Sequence, residues 1–173
     1  MILNKQVGVF INLVHNRIKQ YLSTIFQESG FNITPEQFLV MDALWNNGVI
    51  SQQELARIIL KDKNSIVKLV DGLEKKGLVV RVADKVDRRK NLIELTDYAH
   101  SIKEKVIDVA MMAVDQIIRD IPEEEIQVFI KVLSKMASNM DEETDLLALA
   151  AISHTQKEAI PAATSEEVED TKE

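Results

Sequence analysis

The 173-residue sequence has no cysteine, only three prolines and five glycines, and few aromatic residues. Without cysteine the chain forms no disulfide bond, and it cannot use a thiol as a nucleophile or as an oxidant sensor. The glycines are scattered, so no glycine-rich phosphate loop is present, and neither a nucleophile elbow nor an HExxH metal motif occurs. The sequence therefore predicts a protein that is not an enzyme and that needs no cofactor.

Long apolar runs are also missing from the sequence. No stretch approaches the roughly 18 consecutive apolar residues that a membrane-spanning helix needs. In residues 1–27 the charged side chains of Lys5, Arg17 and Lys19 interrupt the apolar pattern, so no secretory signal peptide is expected. We therefore expect a cytoplasmic protein without a membrane partner.

Negative charge dominates the chain as a whole, but its distribution is uneven. The formal net charge is −7. Residues 51–95 contain eleven lysines and arginines against seven aspartates and glutamates, whereas residues 96–150 contain five against twelve. A basic segment inside an acidic chain indicates a partner that the net charge alone would hide.

Apolar periodicity and capping signals predict two helices before the basic segment. Apolar residues recur every three or four positions over residues 4–27, which indicates a long amphipathic helix that Gly30 ends. Thr34, Pro35 and Gln37 are typical of a helix start with a capping box. The buried stripe predicted for this second helix consists of Phe38, Leu39, Met41, Leu44 and Trp45.

The basic segment predicts two short helices followed by a hairpin. Ser51 and Glu54 form a second capping-box pattern before a helix of about two turns. After the polar turn "KDKNS" a further helix runs from position 62 or 63 to 76, with Gly77 as its C-cap. Short β-rich runs at 78–83 and 91–95 are separated by seven residues and predict an antiparallel hairpin.

Two more helices are expected after the hairpin. Thr96 is predicted to cap a helix over about 97–119, and Pro122 starts a last helix that extends to Met140 or further to Ile152. The joints between helices are too short to separate independent domains, so residues 1–152 are expected to form one domain. Residues 153–173 are polar and acidic without helical periodicity, and we predict a disordered tail.

The order of helix, short helix, tight turn, helix and hairpin is that of a winged helix-turn-helix. In this motif the second short helix enters the major groove of double-stranded DNA, and its N-terminal residues contact base edges. The side chains expected to contact DNA from this recognition helix are those of Lys63, Asn64, Ser65 and Lys68. Ser51 starts the helix before it, where backbone amides and the helix dipole favour a phosphate.

The hairpin carries a cationic tip formed by Arg88, Arg89 and Lys90. Such a tip beside a recognition helix can enter the adjacent minor groove of DNA, where arginine is favoured. Asp87 precedes the three cations, and a carboxylate near DNA is unfavourable unless it pairs with a cation. We therefore predict that Asp87 orders an arginine side chain, which could be that of Arg88, Arg89 or Arg81.

The segment "SQQELARIILKDKNSIVKLVDGLEKKGLVVRVADKVDRRKNLIELT" resembles the MarR family of bacterial transcriptional regulators. The motifs that carry the likeness are "LVDGLEKKGLVVR", "DRR" at 87–89 and "IELT" at 93–96, and the surrounding helices extend it over roughly residues 5–140. The sequence departs from the family's pattern at Gly72, where a longer polar residue is common, and at Ala99, where a glycine is common.

The resemblance implies a mainly α fold with a small β-hairpin wing. A winged-helix DNA-binding part at about 32–95 would join a helical dimerisation region formed by 1–30 and 97–145. It also implies a homodimer whose two winged helices bind the halves of a pseudo-palindromic operator, with Arg89 in the minor groove and Asp87 as its ordering partner. We expect a repressor, and a small-molecule effector could release it from DNA.

Other interpretations of the same residues stay open. A winged helix can bind an acidic protein instead of DNA, but such a surface usually carries aromatic or large apolar anchors, and the recognition helix has none outside its core stripe. His15, His100 and His154 lack the spacing of metal ligands. Met111 and Met112 could line a ligand cleft, although packing in the core or between subunits explains them as well.

Overall fold

The computed structural model of the protein describes residues 2–84 and 91–140, and for residues 2–5 only the backbone. These ranges contain seven helices and three short strands. The helices are α1 (Ile2–Glu28), α2 (Pro35–Asn47), α3 (Gln52–Ile58), α4 (Lys63–Lys75), α5 (Asp97–Ser101), α6 (Lys103–Ile117) and α7 (Glu123–Met140), and the strands are β1 (Ile50–Ser51), β2 (Val79–Ala83) and β3 (Asn91–Leu95). The prediction of a mainly helical fold with a small β-hairpin wing is confirmed.

The three strands form one antiparallel sheet with β3 in the centre, in the order β1-β3-β2. β2 pairs with β3 along its whole length, from Val79 opposite Leu95 to Ala83 opposite Asn91. The bounds of this hairpin agree with the prediction to within one residue. β1 adds two residues on the other side of β3, and it is too short to show an alternating pattern in the sequence.

The core lies between α2, α3, α4 and the sheet, and the C-terminal part of α1 closes it. Its largest fully buried side chains include Phe26, Met41, Leu44, Leu55, Ile66, Leu73 and Ile93. Burying an apolar side chain of this size stabilises a fold by about 1.5–3 kcal/mol. We call the part from α2 to β3 the reading head, and we call α1, α6 and α7 together the arm.

The predicted buried stripe of α2 wrongly includes Leu39 and omits Val40, which is fully buried. Leu39 is 46% exposed, whereas Gln37, which was expected only to cap the helix, is 6% exposed. The capping box is present as predicted: the amide of Gln37 donates to Oγ1 of Thr34, and the amide of Thr34 donates to Oε1 of Gln37, both at 3.1 Å. Gln37 is buried because its side chain folds back over the start of α2 and accepts from the Thr34 amide.

Gln37 also connects α2 to the end of α4. Nζ of Lys76 donates to Oε1 of Gln37 at 2.7 Å, and burial lowers the pKa of Lys76. A Cβ added at Gly72 would lie 2.5 Å from Nε2 of Gln37. A side chain at position 72 would have to displace the Gln37 amide, whose Oε1 is held by Thr34 and Lys76. This close approach accounts for a glycine where the family's pattern has a longer residue.

Gly72→Ala should lower the free energy of unfolding by about 1–3 kcal/mol, because the new methyl group overlaps the Gln37 amide. This loss outweighs the preference of a helix for alanine over glycine, which is about 1 kcal/mol. Urea denaturation measures the change. The same substitution in a Gln37→Ala background is the control, since it should there be neutral or stabilising. A stabilising Gly72→Ala in the otherwise unaltered chain would contradict the close approach.

The helix predicted over 97–119 is in fact two helices. α5 and α6 are separated at Ile102, whose φ of −98° and ψ of −3° depart from regular helix geometry. α5 packs against β3 of the reading head, whereas α6 packs along α1. The break thus turns the chain from the reading head into the arm. Thr96 caps α5 as predicted, accepting from the amide of Ala99 at 3.2 Å.

The arm exposes much of its apolar surface. All of residues 6–17 in α1 are exposed. The apolar side chains in this stretch, each 40–59% exposed, are Val7, Val9, Phe10, Ile11, Leu13 and Val14. α7 buries only Ala137 of its described side chains. No helix in residues 2–84 and 91–140 is long and apolar enough to cross a membrane.

Some predictions concern residues 85–90 and 141–173, which lie outside the described residues. They include the extension of the last helix to Ile152 and the disordered tail at 153–173. The division of the domain into a winged-helix part at 32–95 and a dimerisation part at 1–30 and 97–145 also stays a prediction.

Candidate nucleic-acid interface

The predicted helix-turn-helix is formed by α3, a four-residue turn and α4. The amide of Lys61 donates to the carbonyl of Ala56 at 3.0 Å, so the turn folds back on α3. Leu60 has a φ of 53°, a left-handed conformation that is unfavourable for a residue with a side chain by about 1–2 kcal/mol. This strained turn sets the direction in which α4 leaves α3.

Asp62 begins α4 by capping it through Ser65. Oδ1 of Asp62 accepts from the amide of Ser65 at 3.0 Å, and Oδ2 accepts from the hydroxyl of Ser65 at 2.5 Å. The hydroxyl bond and then the amide bond hold the pKa of Asp62 below its usual range. Because the hydroxyl proton is engaged in the cap, Ser65 can offer a base only its acceptor lone pairs.

The other three side chains predicted on the recognition helix are exposed together. Lys63, Asn64 and Lys68 all lie in the first half of α4 and face solvent. Asn64 and Lys68 are four residues apart and therefore occupy one face of the helix, while Ile66 and Val70 are fully buried on the other side. The structure thus assembles an amide and two ammonium groups on one surface.

Ser51 caps α3 as predicted, but its hydroxyl and its amide are both engaged with Glu54. Its hydroxyl donates to Oε2 of Glu54 at 2.7 Å, its amide donates to the same oxygen at 2.9 Å, and its Oγ accepts from the Glu54 amide at 3.2 Å. A phosphate at this helix start would therefore meet the remaining backbone amides rather than the hydroxyl. The phosphate contact of Ser51 stays a prediction.

Two further cations flank the recognition helix. Arg57 is exposed in the last turn of α3, and Lys61 is half-buried in the turn that follows. The charge count over residues 51–95 includes both residues. Their position beside α4 depends on the geometry of the turn, and the residue pattern alone does not give that geometry.

The wing strand β2 is tied to the recognition helix by an arginine. Nη2 of Arg81 lies 2.5 Å from Oδ1 of Asp71, and Nη1 of Arg81 pairs with Oε2 of Glu74. Arg81 was one of three arginines considered as a partner of Asp87, and its guanidinium pairs with two carboxylates of α4. Its pairing with Asp87 is not tested and stays a prediction. The predicted tip residues Asp87, Arg88, Arg89 and Lys90 lie outside the described residues.

One ion pair joins the arm to the reading head. Nζ of Lys19 in α1 lies 2.5 Å from Oε1 of Glu36 in the first turn of α2. The hydrogen bond from Lys19 holds the pKa of Glu36 below its usual range, although partial burial opposes this shift, and the charge of Lys61 lowers the pKa further. Glu36 therefore lies between a cation of the arm and a cation of the helix-turn-helix.

Glu36→Gln should destabilise the protein at neutral pH by about 0.2–1 kcal/mol, the usual contribution of a partly exposed ion pair. The folded-state pKa of Glu36 is below its usual value of about 4.5. The stabilisation is therefore present above that value and lost as the pH falls through the folded-state pKa. Urea denaturation at pH 7 and at decreasing pH below 4.5 measures the difference between variant and wild type, which should shrink. Asp108→Asn on the exposed face of α6 is the control, and a pH-independent difference for Glu36→Gln would contradict the ion pair.

The histidines and methionines considered for metal or ligand binding are exposed where the structure describes them. His15 and His100 are exposed, His154 lies outside the described residues, and the described part of the chain contains no group of three possible metal ligands. Met111 and Met112 are 46% and 70% exposed. Packing of these methionines in the core of their own chain is therefore ruled out, whereas packing between subunits and a ligand cleft both stay open.

Comparisons with known proteins agree with this geometry. Residues 33–90 match the family model described as the MarR family. The HTH-type transcriptional regulator MhqR of Bacillus subtilis (strain 168) is 26% identical over 137 residues, which are 78% of this chain and 93% of that protein. A MarR family protein from Bacillus stearothermophilus is 26% identical and superposes with a TM-score of 0.60, covering 80% of this chain and 95% of the other.

A mutant MarR from E. coli in complex with operator DNA has the same fold. Its TM-score is 0.70 at 22% identity, and the match covers 76% of this chain and 93% of the other. The predicted resemblance to the MarR family is thereby confirmed, since residues 33–90 match the model of that family. The fold of the described residues is that of MarR family regulators.

Proposed function

We propose that this protein is a sequence-specific transcriptional regulator that binds double-stranded DNA through its reading head. The observation that carries the proposal is the exposed group of Lys63, Asn64 and Lys68 on the first half of α4. Asparagine can bond adenine with two hydrogen bonds, and lysine can reach a guanine or a phosphate. The operator complex of the E. coli relative supports the assignment, because it has the same fold. A DNA partner also implies that the protein acts in the cytoplasm and is not an enzyme.

In the proposed complex the recognition helix α4 lies in the major groove and the wing follows the backbone. Lys63, Asn64 and Lys68 contact base edges and phosphates, Ser65 offers acceptors, and the start of α3 at Ser51 lies beside a phosphate. The wing tip with Arg88, Arg89 and Lys90 reaches the neighbouring minor groove, where a narrow groove concentrates negative potential. Asp87 orders the arginine that enters it.

We further propose that the protein acts as a homodimer joined through the arm. Many apolar side chains of α1 and α7 are exposed in the protomer, and a large exposed apolar patch marks an interaction surface. An open groove of about 700 Å³ between α1 and α6 is lined mainly by apolar side chains, among them Phe10, Leu13, Val14 and Ile117. A second copy covers all these surfaces at once, since a two-fold interface joins the same patches of both protomers.

A dimer of this kind explains how the protein would select an operator. Two recognition helices enter successive major grooves of a pseudo-palindrome when they are about 34 Å apart. Bound there, the dimer would act as a repressor by covering promoter DNA. A small-molecule effector that binds between arm and reading head would change the spacing of the two helices and release the DNA.

Fluorescence-anisotropy titration tests the proposed function. The purified protein is titrated with a duplex from upstream of its own gene and with a scrambled duplex, at two salt concentrations. Tighter binding of the upstream duplex, steeply dependent on salt and saturating at one dimer per site, supports a sequence-specific regulator. An absence of binding to either duplex at low salt would overturn the proposal and favour a protein partner for the reading head.

A further inference from the structure

We propose that Arg81 is a positioning residue of the reading head, which fixes the wing against the recognition helix without itself touching DNA. The inference rests on the proposed function and names a residue that this function needs. Arg81 lies in the wing strand β2, and its guanidinium pairs with two carboxylates of α4, those of Asp71 and Glu74. Its side chain is only 23% exposed, so most of its surface lies against the protein.

The contacts of Arg81 with these two carboxylates form a brace across the joint between α4 and β2. Asp71 and Glu74 are three residues apart and therefore lie on the same face of α4. α4 ends at Lys75 and β2 begins at Val79, and the short connection turns at Gly77, where φ is 67°. The turn is held by hydrogen bonds from the amides of Gly77 and Leu78 to the carbonyls of Glu74 and Leu73. Contacts from Arg81 back across this joint further fix the angle between helix and strand, because the planar guanidinium holds two carboxylates in a defined geometry.

The strand end of the brace is anchored in the core. Arg81 lies opposite Ile93 in the pairing of β2 with β3, and Ile93 is fully buried. The brace therefore links α4 to the centre of the sheet rather than to a free strand. The connection at 84–90 joins β2 to β3. Loss of the Arg81 contacts would therefore change the position of the wing tip relative to the bases that α4 is proposed to contact.

The charge of Asp71 and Glu74 and their contacts with Arg81 have opposite expected effects on DNA binding. This difference makes the inference testable. Asp71, Glu74 and Arg81 together carry a formal charge of −1, and this cluster lies on the side of a helix that is proposed to enter DNA. Negative charge at this surface weakens binding to phosphates. Neutralising Asp71 and Glu74 should therefore strengthen DNA binding if the carboxylates act only by their charge. It should weaken specific binding if they hold Arg81 and the wing in place.

The decisive variant is Asp71→Asn combined with Glu74→Gln, which keeps side-chain size and frees Arg81. We expect the affinity for the specific duplex to fall about tenfold, within the range of losing one well-placed base contact. The affinity for the scrambled duplex should stay equal or rise. Glu104→Gln combined with Asp108→Asn on exposed positions of α6 removes the same two charges from the arm and should leave the ratio of the two affinities unchanged. A parallel rise for both duplexes in the Asp71/Glu74 variant would overturn the inference.

Amide hydrogen exchange tests the brace without DNA. In the Asp71→Asn/Glu74→Gln variant the amides of β2 should exchange several-fold faster than in wild type, because local opening of the wing becomes easier, while the amides of α1 and α6 should not change. Arg81→Lys, which keeps the charge and loses the forked geometry, should show the same acceleration. Unchanged exchange in β2 would overturn the inference. If exchange accelerates while wild-type protein fails to distinguish the two duplexes, the proposed function fails and the role of the brace in DNA binding fails with it.

Discussion

Phe129→Asp in α7 is expected to convert the protein to monomers and to weaken operator binding by about 100-fold or more. Phe129 is 54% exposed in the protomer, and Ile130 and Val132 beside it are 44% and 50% exposed. In the proposed dimer a second copy covers this surface, and a carboxylate buried there would lack a partner for its charge. A monomer binds one half-site at a time and loses the gain in affinity of two linked sites, which is typically about 10²–10⁴-fold.

The exposure of Phe129 separates this effect from unfolding. A side chain that contacts little of its own chain can be exchanged without loss of the protomer's core, so circular dichroism should show an intact helical fold. Sedimentation equilibrium gives the mass, and anisotropy gives the affinity for the operator. Gln127→Asp introduces the same charge two residues away, on the opposite side of α7, and should leave both dimer and affinity intact. A Phe129→Asp variant that remains dimeric would contradict the proposed interface.

Local signals explain why most of the fold could be predicted from the sequence. The capping boxes at Thr34 and Ser51 depend on residues three positions apart, and both are present in the structure. The glycine at 77 and the β-rich runs on either side of 84–90 gave the end of α4 and the bounds of the hairpin. Each of these features depends on residues that are close together in the sequence, where residue types and hydrogen-bond geometry are closely linked.

The errors arose where contacts distant in sequence decide the structure. β1 exists because two residues pair with β3, about 40 positions later. The break at Ile102 reflects a change of packing partner, from the sheet to α1, which an uninterrupted apolar periodicity does not reveal. Gly72 is explained only by the Gln37 amide from another helix. In each case the residue pattern is compatible with the structure without specifying it.

The candidate site shows the same division between near and distant contacts. The exposed residues Lys63, Asn64 and Lys68 follow from the helical period and from the position of the buried stripe. The engagement of Ser65 by Asp62 could also have been predicted, since an aspartate three residues before a serine amide is a typical cap. The pairing of Arg81 with α4 could not, because it depends on the angle at which β2 leaves the helix.

Arg89→Ala should weaken operator binding by about 1–3 kcal/mol, which corresponds to roughly 5- to 150-fold, and should reduce the slope of affinity against salt concentration by about one counterion. Arg89 lies outside the described residues, and the expectation rests on its place in the "DRR" motif between β2 and β3. Arginine is favoured in a narrow minor groove because the negative potential is concentrated there. Anisotropy titration at several salt concentrations measures both quantities.

Two controls determine whether the effect of Arg89→Ala belongs to the minor groove. Arg119→Ala removes the same charge from an exposed position after α6, and it should change affinity and salt slope far less. Replacing A·T pairs by G·C pairs in the flank that the wing would reach widens the minor groove, and it should reduce the difference between wild type and Arg89→Ala. An Arg89→Ala variant with unchanged affinity and slope would exclude the minor-groove role. A loss that does not depend on the flanking sequence would instead indicate that Arg89 contacts only phosphates.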